Sequence, residues 1–124
     1  MNKMNPMFTA LKFNEYINAQ DLNGLADLMT ENHTFIDREG NIGQPKIFMI
    51  DGWRKFFEMF PDYKNYFTRV ELKGDIVVIA GYAYWSEENP YDNVIWTARI
   101  ENDLVAEWKI YYDTEENREK FKIE

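Results

Sequence analysis

Residues 93–113 read NVIWTARIENDLVAEWKIYYD, and the fold turns on how this stretch is read. Val94, Trp96, Ala98 and Ile100 alternate with Thr97, Arg99 and Glu101, and Trp108, Ile110 and Tyr112 alternate with Glu107, Lys109 and Tyr111. A period of two over about ten residues is that of a strand with two unlike faces. Asn102-Asp103 lies between the two runs, and both residue types tolerate the left-handed backbone of a tight hairpin. The stretch therefore predicts two long antiparallel strands, 93–102 and 104–113, with one face packed against something else.

Working outward, Lys73-Gly74-Asp75 predicts a second tight hairpin, joining strands 65–73 and 75–86. Glu87 to Asp92, with Asn89-Pro90, is a longer polar loop. Upstream of Pro61 the period changes to a helical one. Asn5-Pro6 places a capping side chain before a proline at the first helical position, and Met7, Phe8, Leu11, Phe13 and Ile17 follow at helical spacing. Asp21 caps a second, short helix through Met29. His33 to Ile36 reads as a strand, with Gly40 and Gly43 marking a turn and a short second strand. Asp51 precedes a third helix, Trp53 to Phe60. Thr114 caps a last short helix through Phe121. Helices first and a strand meander afterwards is the α+β order. We expect a cone-shaped, curved antiparallel or mixed sheet wrapped over three helices from the N-terminal half. One domain spans 1–124, with a core of about 5–113 and a C-terminal tail at 114–124.

Composition narrows the function. The 124 residues are 45% hydrophobic and carry nine Phe, eight Tyr and four Trp, ample for a core. The formal net charge of −8 opposes both the nucleic-acid backbone and anionic lipid, so neither partner is expected. No apolar run approaches the roughly 20 residues that cross a bilayer. Without cysteine there is no disulfide, thiol nucleophile or thiolate metal site, and a single histidine excludes a multi-histidine metal centre. No glycine-rich phosphate loop is present, and no cofactor or metal is expected. Met1 to Met7 carries Asn and Lys where an export signal needs an apolar run, which predicts a cytoplasmic protein.

The richer ring content of strand 75–86 falls on the face of Val78, Ala80, Tyr82 and Tyr84, which we expect to look inward with Trp96, Trp108 and Tyr112. Tyr and Trp bring polar tips that need partners when buried, so such rings either line a ligand pocket or fill a small core with their tips at the rim. The rings expected around a ligand are Phe13, Phe35, Trp53, Tyr66, Tyr82, Tyr84, Trp96, Trp108 and Tyr112. His33 and Asp37 share a strand face with Phe35 between them, their Cα atoms about 13 Å apart in an ideal strand. Asp37, held among rings, would have a raised pKa and serve as a general acid or base; otherwise it is a solvated turn residue beside Arg38, Glu39 and Gly40. His33 is a second catalytic candidate or a satisfied structural residue.

The order of elements, Asn18-Ala19-Gln20-Asp21-Leu22-Asn23-Gly24-Leu25, Phe35-Ile36-Asp37 and Trp108-Lys109-Ile110-Tyr111-Tyr112-Asp113 together resemble the nuclear-transport-factor-two-like superfamily. Within it the chain is most similar to SnoaL-like, polyketide-cyclase-type proteins. The resemblance implies a conical α+β fold and places Asp37 on the general base of ketosteroid isomerases. Their oxyanion-binding Tyr and Asp fall on Phe13 and Trp96, and the last-strand acid of the related epoxide hydrolases falls on Ile110. It also implies a homodimer through the convex sheet face, here Val77, Ile79, Ile95, Thr97, Arg99 and Tyr111. Two functions stay open: a cofactor-free lyase or isomerase acting by general acid–base chemistry on a small hydrophobic or polyketide-like molecule, and a non-catalytic small-molecule-binding or structural dimeric module.

Overall fold

Asn5 opens the first helix as its sequence requires: its Oδ1 accepts the Met7 N–H at 2.9 Å, and Pro6 takes the first helical position. In the computed structural model, which describes residues 5–123, this helix is α1 (Pro6–Ala19). Residues 1–4, on which much of the reading against an export signal rests, lie outside the described residues. Gln20 ends α1 in the left-handed region, and the Asp21 carboxylate accepts the Gly24 N–H to start α2 (Leu22–Asp27). Then follow β1 (Met29–Ile36), β2 (Ile42–Gly43), α3 (Lys46–Met59), β3 (Lys64–Lys73), β4 (Ile76–Tyr84), β5 (Asp92–Glu101), β6 (Leu104–Tyr112) and α4 (Glu115–Lys120). All six strands form one sheet in the order β2-β1-β6-β5-β4-β3. The sheet is mixed: β1 runs parallel to β6, and the other pairs are antiparallel.

The third helix begins at Lys46, well before the expected Trp53. Met49, Trp53 and Phe57 lie four apart and are all buried, so the apolar face carries the helix through Asp51-Gly52. Asp51 is no cap; it pairs with Arg54 and Lys55 on the exposed side.

Besides a register shift between Met29 and Thr34 where β1 pairs with β6, two bulges bend the antiparallel part of the sheet. Between Phe67 and Arg69 the extra residue is Thr68, and between Val105 and Glu107 it is Ala106. Each resets the alternation, so Phe67 and Val70 both face the helices, as do Val105 and Trp108. The resulting concave side closes around α1, whose Ala10, Phe13 and Ile17 join Trp96, Ala98 and Trp108 in the core. Val94, Trp96, Ala98 and Ile100 face inward as expected.

On β4 the expected phase is reversed. Val77, Ile79 and Ala83 point to the helices, whereas Val78 and Ala80 belong to a separate cluster on the convex side. Tyr82 is on that side too, stacked with Tyr66 at 5.1 Å and touching Tyr91 at 5.3 Å, and Tyr84 follows it by alternation. Tyr66, Tyr82 and Tyr84 therefore do not line an internal pocket. Ring count misled here because tyrosine tolerates water at its hydroxyl, while the inner face at Gly81 is pressed by the β3 backbone and has no room for a side chain. The expected dimer face is corrected likewise, since Val77 and Ile79 are core residues.

Candidate functional site

β1 delivers His33 and Phe35 to the inner face and then turns at Asp37, and that turn builds the rim of a cleft. Asp37 Oδ1 accepts the backbone N–H groups of Glu39 and Asn41, both at 2.9 Å, and Oδ2 accepts the Asn41 side-chain amide at 3.0 Å. Gly40 completes the turn with a left-handed φ of 86°. Burial pushes the Asp37 carboxyl up, but the bonds from Asn41, Glu39 and Gly40 together outweigh it and hold the group below its ordinary value. The expected raised pKa is thus reversed. At the cleft rim, this carboxylate is tied to its own loop by both oxygens.

Next to it, Arg38 Nη1 donates to Asp92 Oδ1 at 3.0 Å, and the Trp85 indole N–H donates to Asp92 Oδ2 at 2.9 Å. The Arg38 guanidinium lies 4.8 Å from the Tyr112 ring centre, and the Tyr112 hydroxyl donates to Glu39 at 2.6 Å. These contacts tie the β1 turn to β5 and β6. Beneath them lies a cleft of about 290 Å³ with an apolar floor of Phe35, Phe56, Ala83, Val94 and Ile110, walls of Tyr63 and Trp85, and a rim of Asp37, Arg38, Glu39 and Asp92. Burial, and secondarily the charge of Asp92, raises the Tyr63 phenol pKa, so it stays a neutral hydroxyl. A second lobe of about 290 Å³ shares Phe35, Asp37 and Phe56 and extends over Ile42, Phe48, Met49 and Trp53.

Of the residues expected at a site, Phe35, Trp53 and Asp37 line this cleft. Tyr112 is 47% exposed and braces the rim from outside. Phe13, Trp96 and Trp108 are fully buried and packed ring on ring: Phe13 lies 4.8 Å from Trp108, and Phe67 5.1 Å from Trp96. They fill the cone. Arg38, Tyr63, Trp85 and Asp92 were not singled out from sequence. Arg38 and Asp92 are 54 residues apart, and no local pattern announces a pair at that distance.

His33 is buried beside Phe13, their ring centres 5.8 Å apart, with Nδ1 2.7 Å from the Val105 carbonyl. That contact assigns the proton to Nδ1 and leaves Nε2 a buried acceptor without a partner among the described residues. Burial lowers the His33 pKa, outweighing the opposing bond to Val105. The ring is thus neutral in the fold, while the unfolded chain takes up a proton near pH 6.5. Stability is expected to be full above about pH 6.5 and to fall as pH drops toward the depressed folded value, by at most about 1.4 kcal/mol per pH unit. Melting curves of the protein and of His33→Phe from pH 7.5 to 5 check this. Parallel slopes would show that His33 is not the group responsible.

Among the described residues no group of three or more His, Asp or Glu is placed to hold a metal ion, and no helix is long and apolar enough to cross a membrane.

No protein-family model matches the sequence, and no curated protein matches it. Solved structures are similar in fold. A protein from Shewanella putrefaciens named as a SnoaL-like polyketide cyclase superposes with a TM-score of 0.77 at 15% identity, covering 98% of this chain and 88% of its own. An NTF2-like protein of unknown function from Cytophaga hutchinsonii gives 0.74 at 14% identity, covering 97% of each chain. A protein with a ketosteroid-isomerase-like fold from Catenulispora acidiphila, solved with trimethylamine, gives 0.70 at 15% identity over 84% of each chain. The architecture is therefore the NTF2-like, cystatin-type α+β fold, matching the resemblance read from the sequence.

Proposed function

We propose that this protein binds a small, largely apolar organic molecule, neutral or cationic, in the cleft beneath Arg38 and Asp92. The observation that carries this is the composition of that cleft: aromatic and aliphatic walls below a rim with three carboxylates and one guanidinium. The guanidinium is already paired with Asp92, so an anionic ligand would meet uncompensated negative charge from Asp37 and Glu39. At about 290 Å³ one lobe suits a one- or two-ring molecule. That a protein of the same fold was solved with trimethylamine is in keeping with a small ligand.

Binding is favoured over turnover because Asp37, the one acid that both lobes share, has both oxygens occupied and its proton affinity lowered. A general base working near neutral pH needs the opposite. The test is titration with 1-naphthol and 1-naphthoate, read by tryptophan fluorescence and by NMR shifts. We expect 1-naphthol to bind, the carboxylate to bind at least several-fold more weakly, and Ala83→Leu, which fills the floor, to abolish binding while circular dichroism shows the variant folded, at an overpacking cost of about 1–3 kcal/mol. Equal binding to the wild type and to Ala83→Leu would remove the cleft from consideration. The acid–base reading has its own signature: proton exchange at the α-carbon of 2-tetralone, accelerated by the protein and lost in Asp37→Asn. We expect no such acceleration.

A further inference from the structure

The two lobes have the same volume, about 290 Å³ each, and a charge stands where they meet. Phe35, Asp37 and Phe56 line both. From these residues the second lobe runs between the β1–β2 turn and α3, over Ile42, Phe48 and Trp53, and Asp37 is the only ionisable residue that lines it. Its outer wall is left in water, with Ile42 64% and Phe48 60% exposed. An apolar arm laid in this lobe would cover both side chains.

Asp37 is a fixed anion at the junction. Its oxygens are held by the N–H groups of Glu39 and Asn41, so neither its position nor its charge has to be reorganised for a ligand. Oδ1 accepts two of these bonds and Oδ2 one, out of about four lone-pair sites on a carboxylate, so Oδ2 can take a charged donor as well. The same bonds keep the group ionised at neutral pH. Arg38 does not neutralise it, being paired with Asp92. A molecule confined to one lobe would use half of this arrangement. One with a cation at the junction and an apolar group on each side would match two apolar hollows and the anion between them.

We propose that the two lobes form one bipartite site for a secondary or tertiary ammonium with two apolar arms, an arm in each lobe and Asp37 as the counter-ion between them. This rests on the reading of the cleft as a ligand site and narrows it, because the central charge and the second arm each add affinity. Asp37 acts here by its charge, and no proton is transferred.

Gly52 supplies the control. It lines the second lobe from α3, and a Cβ built there would meet the Met49 Cε at 3.7 Å, an ordinary contact, so Gly52→Leu fills the lobe and replaces a poor helix former by a good one. The experiment is calorimetric titration at pH 7 with benzylamine, dibenzylamine and dibenzyl ether, which present one arm, two arms, and two arms without the charge. Dibenzylamine is expected to bind one molecule per chain, at least about tenfold tighter than benzylamine because of the extra apolar area covered, and several-fold tighter than the ether. Gly52→Leu should bring dibenzylamine down to the affinity of benzylamine, which keeps the first lobe. Asp37→Asn, checked by circular dichroism, should remove the advantage over the ether; if that variant unfolds, the wild-type comparison of amine with ether decides the charge. NOEs from one bound dibenzylamine to the methyl groups of both Ile42 and Val94, which line different lobes, would place the two arms. Benzylamine binding with no gain for dibenzylamine, or a gain that Gly52→Leu leaves intact, would overturn the bipartite site and leave the cleft a ligand site. Equal affinity for dibenzylamine and dibenzyl ether would overturn the role of Asp37. Failure of all three probes and of 1-naphthol would overturn both readings.

Discussion

Gly81→Ala is expected to be among the most damaging single substitutions in this chain, costing at least about 3 kcal/mol, the upper end of ordinary overpacking. A Cβ built on Gly81 would lie 2.0 Å from the Tyr66 carbonyl oxygen and 3.0 Å from the Phe67 Cα. Both are backbone atoms of β3, which cannot rotate aside as a side chain could. The clash falls where Gly81 pairs with Phe67, immediately before the Thr68 bulge, so the missing Cβ is what lets β3 fold in over β4 and curve the sheet. Thermal melting should show a midpoint lowered on the order of 10 °C or more. Gly74→Ala is the comparison: its φ of 65° is strained for alanine, but nothing lies within 4 Å, so about 1 kcal/mol is expected. Equal effects at the two sites would mean that β3 does not approach β4 as described.

Trp108→Ala should cost about 3–5 kcal/mol, the range for removing a fully buried large ring. Trp108 is 0% exposed and packs against Phe13 at 4.8 Å and Phe67 at 6.4 Å, so its loss opens a void between α1 and the sheet that neither can collapse to fill. Tyr82→Ala, a similar deletion by count of atoms, removes a ring from the convex surface and should cost no more than about 1 kcal/mol. Urea unfolding of the two variants measures the contrast. Comparable losses would restore Tyr82 to the core, where its sequence alone placed it.

The element order was legible because it rests on local chemistry. Asn5, Asp21 and Thr114 are capping residues in the sequence and cap helices in the structure. Lys73-Gly74-Asp75 and Asn102-Asp103 are hairpin signals and supply left-handed residues at Gly74, Asn102 and Asp103. The alternation of 93–101 survives intact because the extra residue in its pairing with β6, Ala106, lies on β6. Where both faces of a strand are apolar, as on β4, alternation gives no sign of which side is inner. The choice there is made by the neighbours: the β3 backbone at Tyr66 and Phe67 leaves no room for a side chain at Gly81, and Ile79 pairs with Trp96.

The cleft shows the same division. That Phe35 and Asp37 would stand close together on one strand face follows from a period of two, and both line the cleft. That Asp37 would be a satisfied turn carboxylate with a lowered pKa depends on Asn41 folding back onto it, and the roles of Arg38, Trp85 and Asp92 depend on β1 lying beside β6 and β5 beside β4. The sequence by itself determined the helices, hairpins, ring supply and net negative charge, because caps, turns and composition act over a few residues. The tertiary structure alone decided which rings fill the cone, which wall a cleft, how Asp37 titrates, and that Ile123 packs on Val78, Ala80 and Ile95, because each depends on contacts between residues far apart in the chain.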